Sequence, residues 1–499
     1  MKRPFTFYLF TVLFLVLTTP LILAGRILPV GPGKTYASPA LAARDAVPGD
    51  TVLIFPAIYT GGNFIENLHG TENAPIYFIG TDAETVVFSG GSQSFHFSDV
   101  SYIHIENMSI TGQTGNGMNI DDGGTFDTPT HHITIKNCRF YDMGAQGNND
   151  MLKLSGIDYF TVSGCTLRNG ATGGSGIDMV GCHHGVFENN FFQNMGSNSI
   201  QAKGGTQFIV IRQNWFESGG QRTLNLGGST GLQFFRPLDA PFEAADIDVY
   251  ANVLIGSWAP IAYVGCVRVK VVNNTIINPQ NWIIRILQET VDPTRFQPCG
   301  DNSFINNIVY YGNSLSRHVN IGSNTAPETF VFSNNLWYNA DNPGQSMPQL
   351  PVTENNAVIG QNPGFVDFGN RDFSLTENSP ALDKGLEDSF TNDYDGEHRP
   401  SGPAFDIGAF EFIYNTTATE NQNTTTALTV SPNPFLSSLR IHNRGESPIK
   451  ISLRDIFGRL VSTSPDILPG AEYHWDLSFL PGGMYLVEGN KESTWVVKW

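Results

Sequence analysis

Short runs in which apolar and polar residues alternate recur along most of the chain, and stretches with a helical apolar period are scarce. Tyr102 to Ile105, His132 to Ile135, Tyr159 to Val162, Phe208 to Ile211, Ile247 to Tyr250 and Val267 to Val272 read as strands with one buried and one wet face. A short motif follows nearly every such run, and its second position is Asn107, Cys138, Cys165, Asn190, Asn214, Asn252, Asn274, Asn307 and Asn335 in turn. These copies lie 22 to 38 residues apart, the spacing of a solenoid whose coils carry loops of different length. Equivalent strands joined by a whole coil must run parallel. An inward polar group at a coil corner has to be hydrogen-bonded, so the asparagines from Asn107 to Asn335 are expected to stack along one corner, mostly buried. Cys138 and Cys165 share that register one coil apart, near the range a disulfide bridges. Cys182 and Cys266 share another register several coils apart and should not pair.

A second column emerges from the strand on the other side of the ladder. Its middle residues are His96, Asn119, Lys153, Asp178, Gln201, Asn225, Ala262, Arg285 and Asn320, each between largely apolar neighbours. With the neighbours pointing inward, the middle residues form an outward polar stripe, one coil spacing of about 4.8 Å per step. The longest ladder step, Asn214 to Asn252, carries a glycine-rich stretch, Gly227 to Gly231, and then Phe234, Phe235 and Arg236. A long loop on a compact solenoid is more often functional than idle.

The chain carries a formal charge of −18, which disfavours nucleic acid as a partner. An acidic polysaccharide stays compatible, because a local basic stripe or a divalent cation reverses the sign within one groove. Cleavage of such a polymer by β-elimination needs a base, an acid and neutralisation of the uronate carboxylate. Lys153 or Lys203 is the candidate base, with a pKa lowered by neighbouring cations, and Arg222, Arg236 or Arg285 neutralises or donates. Asn119, Gln201, Asn225, Glu243 and Glu289 are candidate substrate contacts, and Phe234 and Phe235 candidate stacking platforms. Asp150 and Asp178 are candidate ligands for a hard cation such as calcium. Lys153 and Asp178 also fit a plain surface ion pair. Hydrolysis would instead draw two facing carboxylates from Asp178, Glu217, Glu243 and Glu289. His183-His184 reads as a turn rather than a metal site.

Lys2 and Arg3, the apolar run Phe5 to Leu23 and the small pair Ala24-Gly25 have the parts of a secretory signal, expected over 1–24. No further segment is expected to span a membrane. Asn415 to Thr426 is Thr- and Asn-rich and reads as a linker, placed at 414–427.

Ser38 to Asp50, Thr51-Val52-Leu53-Ile54 and Ala57-Ile58-Tyr59-Thr60-Gly61 resemble the entry segment of secreted right-handed parallel β-helix proteins of the pectate-lyase-like superfamily. Asp393-Tyr394-Asp395-Gly396, Arg399-Pro400 and Asp406-Ile407-Gly408-Ala409-Phe410-Glu411 are similar to the segment that closes such helices. The resemblance implies a β-helix over 25–413, in a superfamily with many carbohydrate-active members. Val430-Ser431-Pro432-Asn433-Pro434-Phe435 and Gly482-Gly483-Met484-Tyr485, with the terminal Val496-Val497-Lys498-Trp499, resemble the type A C-terminal sorting domain of the type IX secretion pathway in Bacteroidetes. That implies a small immunoglobulin-like β-sandwich over 428–499 and a partner in the secretion machinery. The expectation is an all-β, monomeric protein, secreted or attached to the cell surface after passing the periplasm. It acts on a polysaccharide, as a lyase ahead of a glycoside hydrolase, or binds glycan without cleaving it.

Overall fold

The computed structural model describes residues 25–125, 127–414, 428–431, 437–445, 447–455, 460–480, 483–489 and 492–498. The expected signal, all but the first residue of the linker, and Pro432-Asn433-Pro434 lie outside the described residues. Two compact units divide the chain after Tyr414.

The first unit is a parallel β-helix built from three sheets. The first sheet runs from Ile27–Val30 to Val331–Ser333, the second from Ala57–Thr60 to Val358–Ile359, and the third from Asn63–Glu66 to Val319–Ile321. Inward residues of all three form one continuous core, from Leu28 and Val30 to Phe332 and Trp337. A short helix, Pro39–Ala43, buries Pro39, Ala42 and Ala43 and packs against the first strands, with Ser38 capping it through a bond from the Leu41 amide.

The corner between the first and second sheets explains the paired asparagines. Asn189, Asn273, Asn306 and Asn334 take positive φ of 53–55°, a conformation asparagine tolerates better than most residues. The next residue turns inward. The side-chain oxygen of Asn214 accepts from both the amide and the side chain of Asn190, at 3.0 and 2.9 Å. The same pattern repeats through Asn252, Asn274, Asn307 and Asn335, and Glu354 ends the ladder by accepting from Asn335 and from Trp337. Asn107 is a correction: it takes the turn position, with φ of 57°, and Met108 occupies the buried ladder position. The motif at Glu106-Asn107-Met108 has a single asparagine, and turn geometry rather than the ladder claims it.

Cys138 and Cys165 continue the ladder downward as free, fully buried thiols. Each donates to a carbonyl one coil below, Ile105 or Ile135, instead of bridging. Cys182 and Cys266 share a register through Thr206 and Ala244 and are likewise free.

On the outside of the first sheet, Tyr102, His132, Tyr159, His184 and Phe208 each take a positive φ and stack ring upon ring. Their centroids are 4.4, 5.1, 4.6 and 4.9 Å apart, close to the coil rise, so the rings use their faces on one another.

The segment after the last coil folds back over the second sheet. Phe373, Ala409 and Phe410 cover Val253 and Ile277, and Leu375, Ala381 and Ile407 cover Ile308 and Leu336. Arg399 lies fully buried in it, paired with Glu411 at 3.0 Å and donating to the carbonyls of Asp406 and Gly408.

In the second unit, a three-stranded and a four-stranded antiparallel sheet share one core of Leu439, Ile441, Ile451, Leu453, Trp475, Tyr485, Val487 and Val496.

Candidate functional site

The third sheet brings the second column into line, residue upon residue: His96, Asn119, Lys153, Asp178, Gln201, Asn225, Ala262, Arg285 and Asn320 are direct neighbours on successive strands. The stripe is not wet throughout. Asp178 and Asn225 are 1 and 2% exposed, because long side chains and a loop close over them.

Asp178 is the centre. Its Oδ2 receives the Lys153 ammonium directly and the Lys203 ammonium at 3.3 Å, while its buried Oδ1 has no partner among the described residues. Asp150 stands 3.8 Å from the Lys153 Nζ and accepts the Ser175 amide. Burial, reinforced by the charge of Asp178, pushes the Asp150 carboxyl up to about 6. Burial alone would lower the Lys153 pKa, but Asp178 and Asp150 outweigh it and hold the ammonium above its ordinary range. This reverses the expectation of a lysine discharged by neighbouring cations. The two carboxylates do not fit calcium either, since the Lys153 ammonium bridges them and calcium requires six to eight oxygen ligands. Among the described residues no cluster of three or more His, Cys, Asp or Glu side chains could hold a metal ion.

Lys153 and Lys203 line a cavity of about 400 Å³, together with Asp122, Thr230, Phe234 and Arg236. Its roof is the loop after the strand Arg222–Gly227. Gly227, at φ of 113°, lets that loop leave the sheet, and a Cβ there would sit 1.7 Å from the Val264 carbonyl. Glu243 then ties the loop down. Fully buried, it accepts the Gly204 and Thr230 amides and the hydroxyls of Thr230 and Thr290, at 2.5 to 2.9 Å. That occupation removes Glu243 as a substrate contact or a hydrolytic acid.

Arg236 makes a two-pronged pair with Asp158, both contacts 2.7 Å, and donates to the Gly181 carbonyl. Arg236 and His183 outweigh burial and hold the Asp158 carboxyl well below its ordinary range. Phe234 is 60% exposed at the cavity mouth, whereas Phe235 is fully buried against Phe296 beneath the Arg295 guanidinium. Adjacent aromatics in a loop anchored by one of them face opposite ways, so only Phe234 is free to stack on a ligand.

The remaining candidates lie apart. Arg222 bonds Asn225 at 3.0 Å and Glu289 at 2.6 Å. Arg285 stacks over Trp282 and bonds Asn320, five coils and roughly 24 Å from Lys153. Glu217 sits on the second sheet, paired with Arg371. The four carboxylates put forward for hydrolysis therefore do not face one another across a common cavity. Gln201 lies one strand above Asp178, and Asn119 one strand below Lys153 and bonded to Asp121.

Asp122, Ser155, Gly156 and Asp158 escaped the sequence reading, which reached Thr230 only as part of the Gly227 to Gly231 loop. Asp122 follows the strand Met118–Asp121 and, with Ser155 and Gly156 one coil higher, walls the cavity. Thr230 and Asp158 position the loop and Arg236. Extending the column register by two or three residues past Asn119 and Lys153 would have found Asp122, Ser155 and Gly156. Asp158 carried no signal, because it lies in the first sheet.

The coils and the groove on the third sheet define a β-helix protein with a polar, loop-roofed cavity. Residues 65–236 match the right handed beta helix region, and residues 429–499 match the secretion system C-terminal sorting domain. No curated protein sequence matches the chain. Among solved structures, pectate lyase Pel9A is similar at 18% identity and a TM-score of 0.46, covering 78% of this chain and 96% of that one. An alginate lyase from Paenibacillus sp. str. FPU-7 is similar at 15% identity and a TM-score of 0.38, covering 59% and 97%. An alpha-1,3-glucanase from Streptomyces thermodiastaticus is similar at 14% identity and a TM-score of 0.37, covering 68% of each chain. The chain thus joins a right-handed β-helix to a sorting domain that marks it for secretion across the outer membrane. No helix among the described residues is long and apolar enough to cross a membrane.

Proposed function

We propose that the chain is an extracellular polysaccharide-active protein that binds an acidic polysaccharide in the lysine cavity and cleaves it by β-elimination. One observation carries this reading: two ammonium groups converge on a cavity of ligand size in a chain whose net charge is −18. Lys153, held charged by Asp178, neutralises the uronate carboxylate, and Lys203, farther from that carboxylate, is the base. Lys203 takes the proton alpha to the carboxylate, the electron pair becomes the new carbon–carbon double bond, and the glycosidic oxygen leaves. Asp122, whose carboxyl burial holds above its ordinary range, donates the proton that oxygen needs. Phe234 stacks on the sugar ring at the mouth. After export the protein acts free or attached at the cell surface.

Binding without cleavage is the second reading, and Asp178 favours it specifically: one carboxylate oxygen serving both ammonium groups opposes the neutral lysine a base requires. Incubation with polygalacturonate, alginate, chondroitin sulfate and xanthan, followed by ultraviolet absorbance of unsaturated products, separates the two. Rising absorbance supports the lyase. Binding with no absorbance change leaves the binding protein, and neither binding nor cleavage of any of them ends both readings.

A further inference from the structure

A second cavity, of about 470 Å³, opens at the other end of the third-sheet strands. Trp258, Gln221, Gln280 and Ser218 line it, with Met195 as its apolar floor, and no lining side chain is ionisable. The indole of Trp258 is 48% exposed and braced from one side by Trp282, 6.1 Å away at a right angle. The support beneath is hydrogen-bonded to the neighbouring coil. Ser257 is buried at φ of 71° and receives the Thr223 hydroxyl at 2.6 Å, and the Trp258 amide bonds the Gly220 carbonyl. Among the described residues neither glutamine side-chain amide has a hydrogen-bond partner, so both are available to a ligand.

We propose that the Trp258 cavity is a second glycan subsite that takes an uncharged pyranose. A sugar's C–H face covers the indole, while its hydroxyls exchange hydrogen bonds with two amides that both donate and accept. A uronate is disfavoured there, because its carboxylate would lose water without gaining a cation. The strand Arg222–Gly227 links the two cavities, with Gln221 at one end and Ser229 to Gly231 in the lysine-cavity lining beyond the other. Six residues in a strand span roughly 17–20 Å, and the outer face between carries Arg222 and Gln201. One glycan crossing the sheet meets cations first and a neutral aromatic subsite second. Resting on the reading of the lysine cavity as a glycan site, this narrows the polymer to a heteropolysaccharide in which uronates alternate with neutral sugars.

Titration of the full chain with cellohexaose, mannohexaose and xylohexaose, read by calorimetry, tests the subsite directly. At least one should bind, Trp258→Ala should weaken it about tenfold, and Trp258→Phe should keep most of the affinity. Gln221→Ala, which leaves the indole in place, should weaken it about threefold and serves if Trp258→Ala fails to fold. On the acidic side, xanthan, which mixes uronates with neutral sugars, should bind more tightly than polygalacturonate, and Trp258→Ala should erase that preference. No binding of any neutral hexaose, or equal binding by the native chain and both Ala variants, overturns the subsite whatever happens at the lysines. A neutral hexaose lost in Trp258→Ala, with no acidic polymer bound at all, keeps the subsite and removes the lysine reading instead.

Discussion

Two buried ionic clusters in the first unit differ in how their carboxylates are finished. In the closing segment, Asp393 accepts the Glu397 and Glu411 amides, Asp406 those of Asp383 and Phe412, and Glu411 those of Ser401 and Asp406 besides Arg399. Backbone bonds finish every carboxylate oxygen there, and among the described residues only the Arg399 Nε of this cluster is left without a partner. At the lysine cavity, Asp178 gives one oxygen to two ammonium groups, and the other has no partner among the described residues. A sealed cluster completed by backbone amides has no bond to spare for a ligand, and its role is to hold the flank of the solenoid closed. A cluster that opens on a cavity and is completed by side-chain ammonium groups rather than backbone amides can exchange partners.

The largest effect is expected at the open cluster. Lys203→Ala should lower turnover of a cleaved glycan by about 10²–10⁴-fold, the usual worth of a positioned base, while the circular dichroism stays native. An unchanged rate would remove Lys203 from the chemistry. At the sealed cluster the effect should fall on stability: Arg399→Ala strands buried carboxylates and should cost about 3–5 kcal/mol in denaturant unfolding. A loss below about 1 kcal/mol would mean that the cluster is not what closes the flank.

The two clusters also differ in acidity. Burial, with the charge of Glu411, pushes Asp406 up to about 7. Its folded pKa lies above the unfolded value, so the folded state binds the proton more tightly, and Asp406 contributes stability at low pH that is lost as pH rises from about 4 through 7. Asp150, at about 6, acts in the same direction over a narrower window. Unfolding of the chain at pH 5 and pH 8 should show Asp406→Asn flattening the dependence more than Asp150→Asn; the reverse order would place the stability-linked proton at the cavity. The smallest effect belongs to the exposed rim: Phe234→Ala should weaken glycan binding about fivefold with no change in unfolding midpoint.

Much of the scaffold was legible because a solenoid repeats its constraints. The third-sheet column from His96 to Asn320 followed from apolar flanks around one polar position, a local rule applied coil by coil. Asn107 slipped by one residue because two different demands, a positive φ and an inward amide, select the same residue type at adjacent positions. The site was less legible because it depends on what closes over the column. Whether Glu243 meets a glycan or four backbone and hydroxyl donors of its own chain, and which of Phe234 and Phe235 turns inward, is decided by the loop's path. No periodicity encodes that path. Asp158 is the clearest case, a first-sheet residue that fixes an arginine 78 positions later.

The five buried thiols give the solenoid a set of internal gauges. Cys138, Cys165, Cys182, Cys266 and Cys299 sit on different turns of the stack, and each is shielded by its own neighbours. A thiol meets an alkylating reagent only when its own turn opens, so the five labelling rates map unzipping along the axis. Should the stack open from one end, the rates fall in chain order; should it open at the groove, Cys182, nearest the Asp158–Arg236 pair, reacts first.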